Sequence, residues 1–93
     1  MLTFEDCLAF CALTEDEIDA IAEHEHVPEM LAVELGRYLI EGPDGQVMIR
    51  RMIIDDIRTA QDRGDLRHAA QLKQTLRRFI EAYPDQPKAP VTD

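Results

Sequence analysis

The chain has 93 residues, with 19 Asp and Glu against 10 Lys and Arg, for a formal net charge of −9. That length suits one domain and leaves no room for a multi-domain enzyme, and the charge opposes phosphate backbones and anionic lipid. At 45% apolar and 31% charged residues, with no Trp, three Phe and two Tyr, it is composed as a globular protein with a mostly aliphatic core.

The first residues, Met1-Leu2-Thr3-Phe4-Glu5-Asp6, are acidic where a secretory leader is basic, and no apolar run approaches the roughly 20 residues of a membrane span. A cytoplasmic setting without a membrane or nucleic-acid partner is therefore expected. Two cysteines, Cys7 and Cys11, are too few for a disulfide framework.

Five helical segments are predicted in chain order. Thr3 caps a first helix from about residue 4 to residue 12, on which Phe4, Cys7, Leu8 and Cys11 form the core stripe. Thr14 and Glu17 make a capping box, with Glu15 and Asp16 also favoured at the positive pole of a second helix running to about Glu25. Val27-Pro28 breaks that helix, and Pro28 opens a third, which runs to about Glu41.

In the third helix only Glu34, Arg37 and Glu41 interrupt a nearly all-round apolar surface. Such a pattern predicts the central helix of the fold, with Gly36 marking a close approach by a neighbour. Gly42-Pro43-Asp44-Gly45 reads as a turn. A fourth helix then carries Val47, Ile49, Met52, Ile53, Ile57 and Ala60. Gly64 suits the left-handed residue after it, and Asp65 caps a fifth helix carrying Leu66, Ala69, Leu72, Leu76, Phe79, Ile80 and Tyr83.

No period-two alternation occurs, so no sheet is predicted. The expected fold is all-α, an orthogonal or bundle-like domain of about five helices over residues 1–83, whose last two helices form an antiparallel αα-hairpin. Residues 84–93 hold three of the five prolines in P-x-x-P-x-x-P spacing and read as a disordered, solubilising tail.

Charge is segregated. Residues 1–45 carry 12 acidic groups and one basic, Arg37, a net of −11, whereas residues 46–83 carry five acidic and eight basic, a net of +3. Such asymmetry can be satisfied within the fold or between chains. The acidic residues Asp16, Asp19 and Glu23 of the second helix, and Arg50, Ile54 and Arg58 on one line of the fourth, are the expected interaction surface, with Ile54 a solvent-facing aliphatic between arginines.

Metal chemistry is the alternative. Cys7, Cys11, His24 and His26 lack zinc-finger spacing, and on one helix His24 and His26 point about 200° apart. Glu23-x-x-His26 is the i,i+3 pair of di-metal four-helix bundles, and Asp65-x-x-His68 is a degenerate second copy. The candidate set is thus Glu23, His26, Glu34, Asp65 and His68, with Asp55 or Asp56 in reserve. Against it, Asp65 serves better as a cap and His26 abuts the Val27-Pro28 break, which leaves His24, His26 and His68 as surface residues at helix boundaries. Arg63-Gly64-Asp65 spells an adhesion tripeptide, but helix-end physics explains it.

No phosphate-binding glycine loop, nucleophile elbow or calcium loop is present, and the chain has no serine. No catalytic set and no cofactor are expected. Residues 47–80, with Ala60, the Arg63-Gly64-Asp65 turn and Ala69-Ala70, resemble one helix-turn-helix unit of tetratricopeptide-type repeats. The resemblance spans about a third of the chain, lacks the repeat's Trp and Tyr positions and implies no functional residue. The expectation is a non-catalytic interaction or regulatory module that meets a copy of itself or a basic protein.

Overall fold

Thr14 sets the start of the first helix in the computed structural model, which describes residue 3 and residues 12–84. Its Oγ1 accepts from Glu17 N at 3.3 Å while its own N–H donates to Glu17 Oε1 at 2.8 Å. The predicted capping box is therefore formed. Helix α1 spans Glu15–Glu25, α2 Glu29–Leu39, α3 Pro43–Asp62 and α4 Leu66–Ala82, and no strand occurs among the described residues. The predicted helix at 4–12, except its last residue, and the tail beyond Pro84 lie outside the described residues.

α1 ends at His26, whose φ of 57° is left-handed. Val27 N–H reaches back to the Ala22 carbonyl at 3.2 Å, the six-to-one bond of a Schellman cap. The α3–α4 connection closes the same way. Gly64 has φ 75° and donates to the Gln61 carbonyl at 3.0 Å, and Asp65 N–H donates to the Ala60 carbonyl at 2.9 Å. Asp65 Oδ1 then accepts from His68 N at 3.1 Å, capping α4 as expected.

Two expectations are corrected. Pro43, Asp44 and Gly45 belong to the first turn of α3 and not to a loop, because Pro43 stands at its start, where a missing N–H costs nothing. Gly45 is required there: a Cβ would fall on the Leu39 carbonyl oxygen, and would lie 2.6 Å from its carbon and 2.7 Å from Leu39 Cα.

The second correction concerns α2, which is not central. α1 and α3 each pack against the other three helices, while α2 and α4 hardly touch. One side of α2 is buried through Ala32, Val33, Gly36 and Leu39, and the other faces solvent. The close approach at Gly36 is present, since a Cβ there would come within 2.5 Å of Leu13 Cδ1 and 3.3 Å of the Cδ1 atoms of Ile18 and Ile21.

Among the described residues the buried core is aliphatic apart from Met52 and Phe79. Ile18, Ile21, Ile49, Ile53 and Phe79 are fully buried, and each contributes roughly 2 kcal/mol of transfer free energy. On α4, Leu66 and Ile80 leave the expected stripe for solvent and Thr75 takes a buried place. Its hydroxyl donates to the Gln71 carbonyl at 3.0 Å, so it enters the core already satisfied. No helix among the described residues is long and apolar enough to cross a membrane.

Candidate functional site

The buried face of α3 reads Ile49, Met52, Ile53, Asp56, Ile57 and Ala60. A carboxylate thus occupies a core position, with Asp56 only 5% exposed. Its Oδ2 is buried without a hydrogen-bond partner among the described residues. Burial and the nearby negative charges of Glu23 and Asp55 push its carboxyl up to about 7, against the opposing pull of His24 and His68.

Those neighbours come from three helices. His24 of α1 places Nε2 3.2 Å from Asp55 Oδ2 of α3 and Nδ1 2.8 Å from Glu25 Oε2. His68 of α4 places Nε2 2.7 Å from Glu23 Oε1 of α1. Burial works against the His24 imidazolium, but the hydrogen bonds to Glu25 and Asp55, with the charge of Asp56, hold its pKa above the ordinary histidine value. The Glu23 bond raises that of His68. Glu17, buried beneath the cap, also titrates above its ordinary value, because desolvation outweighs its two bonds to Thr14.

Two histidine–carboxylate pairs, His24–Asp55 and His68–Glu23, therefore tie α1 to α3 and α4 beside a buried carboxyl. A cleft of about 360 Å³ opens beside this cluster between α1 and α4, bounded by Asp16, Asp19, Glu23, His68, Gln71 and Arg78 among others. Asp56 is not part of its wall, so a molecule in the cleft meets the Glu23–His68 pair and not the buried acid.

The predicted metal set does not converge. Glu23 and His68 do meet, but as an ion pair, while Asp65 is committed to its cap, His26 is the left-handed residue ending α1, and Glu34 is exposed on α2. Among the described residues no group of three or more His, Cys, Asp or Glu side chains is placed to hold a metal ion.

The predicted interaction surface splits in two. Asp16, Asp19 and Glu23 line the cleft together, and Arg78 Nη1 approaches Asp16 Oδ2 at 3.9 Å across it. Arg50, Ile54 and Arg58 lie along α3 away from the cleft. Ile54 is half-buried and so not fully solvent-facing as expected.

No known family model matches this chain, and neither do curated proteins or solved structures.

A second feature went unread in the sequence. Met30, Leu31 and Tyr38 of α2 are 42%, 56% and 75% exposed, and they share the helix side away from the core. Isolated exposed apolar residues are ordinary, but three on one side of one helix make a patch. The all-round apolar character of 29–40 was the available signal. It predicts burial on every side, whereas one side is outward.

Proposed function

We propose that this chain is a non-catalytic helical interaction module that associates with a second copy of itself or with a protein presenting a basic surface. The observation that carries the reading is the outward apolar side of α2, with Met30, Leu31 and Tyr38 exposed together. Covering such a patch returns roughly 25 cal/mol per Å² of apolar area, which a small chain with a limited core does not leave unused without reason. The acidic wall of Asp16, Asp19 and Glu23 supports a basic partner, since charge complementarity steers encounter. The helices Pro43–Asp62 and Leu66–Ala82, joined through three residues and making the most extensive helix pair, are read as the antiparallel hairpin that supports this surface.

The test compares the wild-type chain with the double variant Leu31→Asp, Tyr38→Asp. Expected is a mass that rises with concentration, or retention on an immobilised lysine-bearing helical peptide, in the wild type and loss of either in the variant. A wild-type chain that is monomeric at low and high salt and is not retained overturns the reading.

A further inference from the structure

On α2 the residues Met30, Glu34, Tyr38 and Leu31 fall within an arc of about 100°, and all four are exposed. Glu34 thus stands one turn from both Met30 and Tyr38, a carboxylate in the middle of an apolar patch. Anything that covers the patch must bring a cation to Glu34, because removing an unpaired carboxylate from water is expensive.

Arg37 lies about 20° beyond Met30 on the same flank, is exposed, and is the one basic residue among the first 45. Among the described residues neither Glu34 nor Arg37 takes part in an ion pair.

We infer that α2 is a self-recognition helix: it pairs antiparallel with α2 of a second copy about a two-fold axis near Leu35 and Gly36, so that each Glu34 meets the other copy's Arg37. This inference rests on the interaction reading above and names its partner. The geometry follows from symmetry. In an antiparallel isologous pair the same flank of each helix faces itself, and residues whose numbers add to a constant stand level. Glu34 and Arg37 are level when the axis passes midway between them, so one placement makes two reciprocal ion pairs while Tyr38 of each chain falls within one turn of Leu31 and Met30 of the other. A parallel pair sets opposite flanks together and leaves both Arg37 side chains on the outside. α2 is about 16 Å long, so this is a small interface and the dimer is weak.

The reciprocal pairing makes an unusual demand on charge variants. Glu34→Arg leaves two positive groups on the flank and Arg37→Glu leaves two negative ones, so each variant repels itself yet complements the other. Sedimentation equilibrium on the full chain should show that each variant alone dimerises at least about tenfold more weakly than wild type, and that an equimolar mixture dimerises as strongly as wild type or better. Circular dichroism of each variant confirms that both fold, and the recovery in the mixture is not open to a pairing within one helix. A wild-type chain that stays monomeric into the millimolar range, single variants that dimerise like wild type, or a mixture no stronger than its components each overturns the inference. If the chain is monomeric but the α2 substitutions Leu31→Asp and Tyr38→Asp abolish its retention on a lysine-bearing helical peptide, self-pairing falls and the interaction reading stands; if that retention is also absent, both fall.

Discussion

Replacing Asp56 with Asn removes the ionisable group from the core of α3 while nearly preserving its shape, and the consequence is a change in how stability depends on pH. In the folded chain the carboxyl is pushed from its ordinary value of 3.8 to about 7. A folded value above the unfolded one means that the native state holds the proton longer, so the stability linked to Asp56 is fully present below pH 3.8 and is lost as pH rises through 7. The gap is about 3 pH units, and at ~1.4 kcal/mol per unit the whole loss is about 4 kcal/mol. Roughly 2.5 kcal/mol of it falls between pH 5 and pH 8. His24 and His68 are shifted upward as well, so their contributions are present below about 6.5 and also fade as pH rises, adding to the wild-type decline. Urea unfolding followed by circular dichroism at pH 5 and pH 8 measures the difference. The wild type should lose several kcal/mol between the two, and Asp56→Asn should lose about 2.5 kcal/mol less. A wild-type chain equally stable at both pH values, or a variant that declines as steeply as wild type, refutes the reasoning about the buried carboxyl.

Two further predictions concern backbone and packing. Gly45→Ala forces a Cβ onto the Leu39 backbone, which cannot yield, and should cost about 3 kcal/mol or more. Gly36→Ala meets the tip of the Leu13 side chain at 2.5 Å, which can rotate, and with helix propensity in its favour should stay within about 1 kcal/mol of wild type; urea midpoints of the two variants decide the ordering. His26→Gly relieves a left-handed residue at φ 57° and should stabilise the chain by about 0.5–1 kcal/mol, and thermal unfolding that shows a loss would place a stabilising contact on the His26 side chain.

Local chemistry was legible wherever a single residue decides it. Thr14 with Glu17, Gly64 and Asp65 act at helix ends through their own hydrogen bonds or φ, and each does what its type predicts. Tertiary choices were less legible. The pattern of α2 is apolar on every side but for the narrow stripe of Glu34, Arg37 and Glu41, which marks the outward side without showing how far exposure extends to the apolar residues beside it. Gly45 was read as part of a turn because proline and glycine cluster there, whereas its reason is an approach by Leu39, six residues earlier, which no local rule contains. Asp56 was visible as an acid on the core stripe of α3, between Ile53 and Ile57, yet only packing brings Glu23, His24 and His68 around it from two other helices. Glu23 and His68 stand in the metal alternative on separate motifs, and the helix-end roles of Asp65 and His26 that weaken it are legible in the sequence; the direct Glu23–His68 contact and the outward position of Glu34 on α2 are set by packing alone.

The central claim is that the chain pairs with a second copy of itself through the outward face of α2. Sedimentation equilibrium of wild type beside Leu31→Asp, from about 10 µM to 500 µM, tests it most directly. The account predicts a wild-type mass rising from 10.6 kDa toward twice that value, with Leu31→Asp holding at 10.6 kDa throughout. Two masses that stay at the monomer value, or that rise together, contradict it.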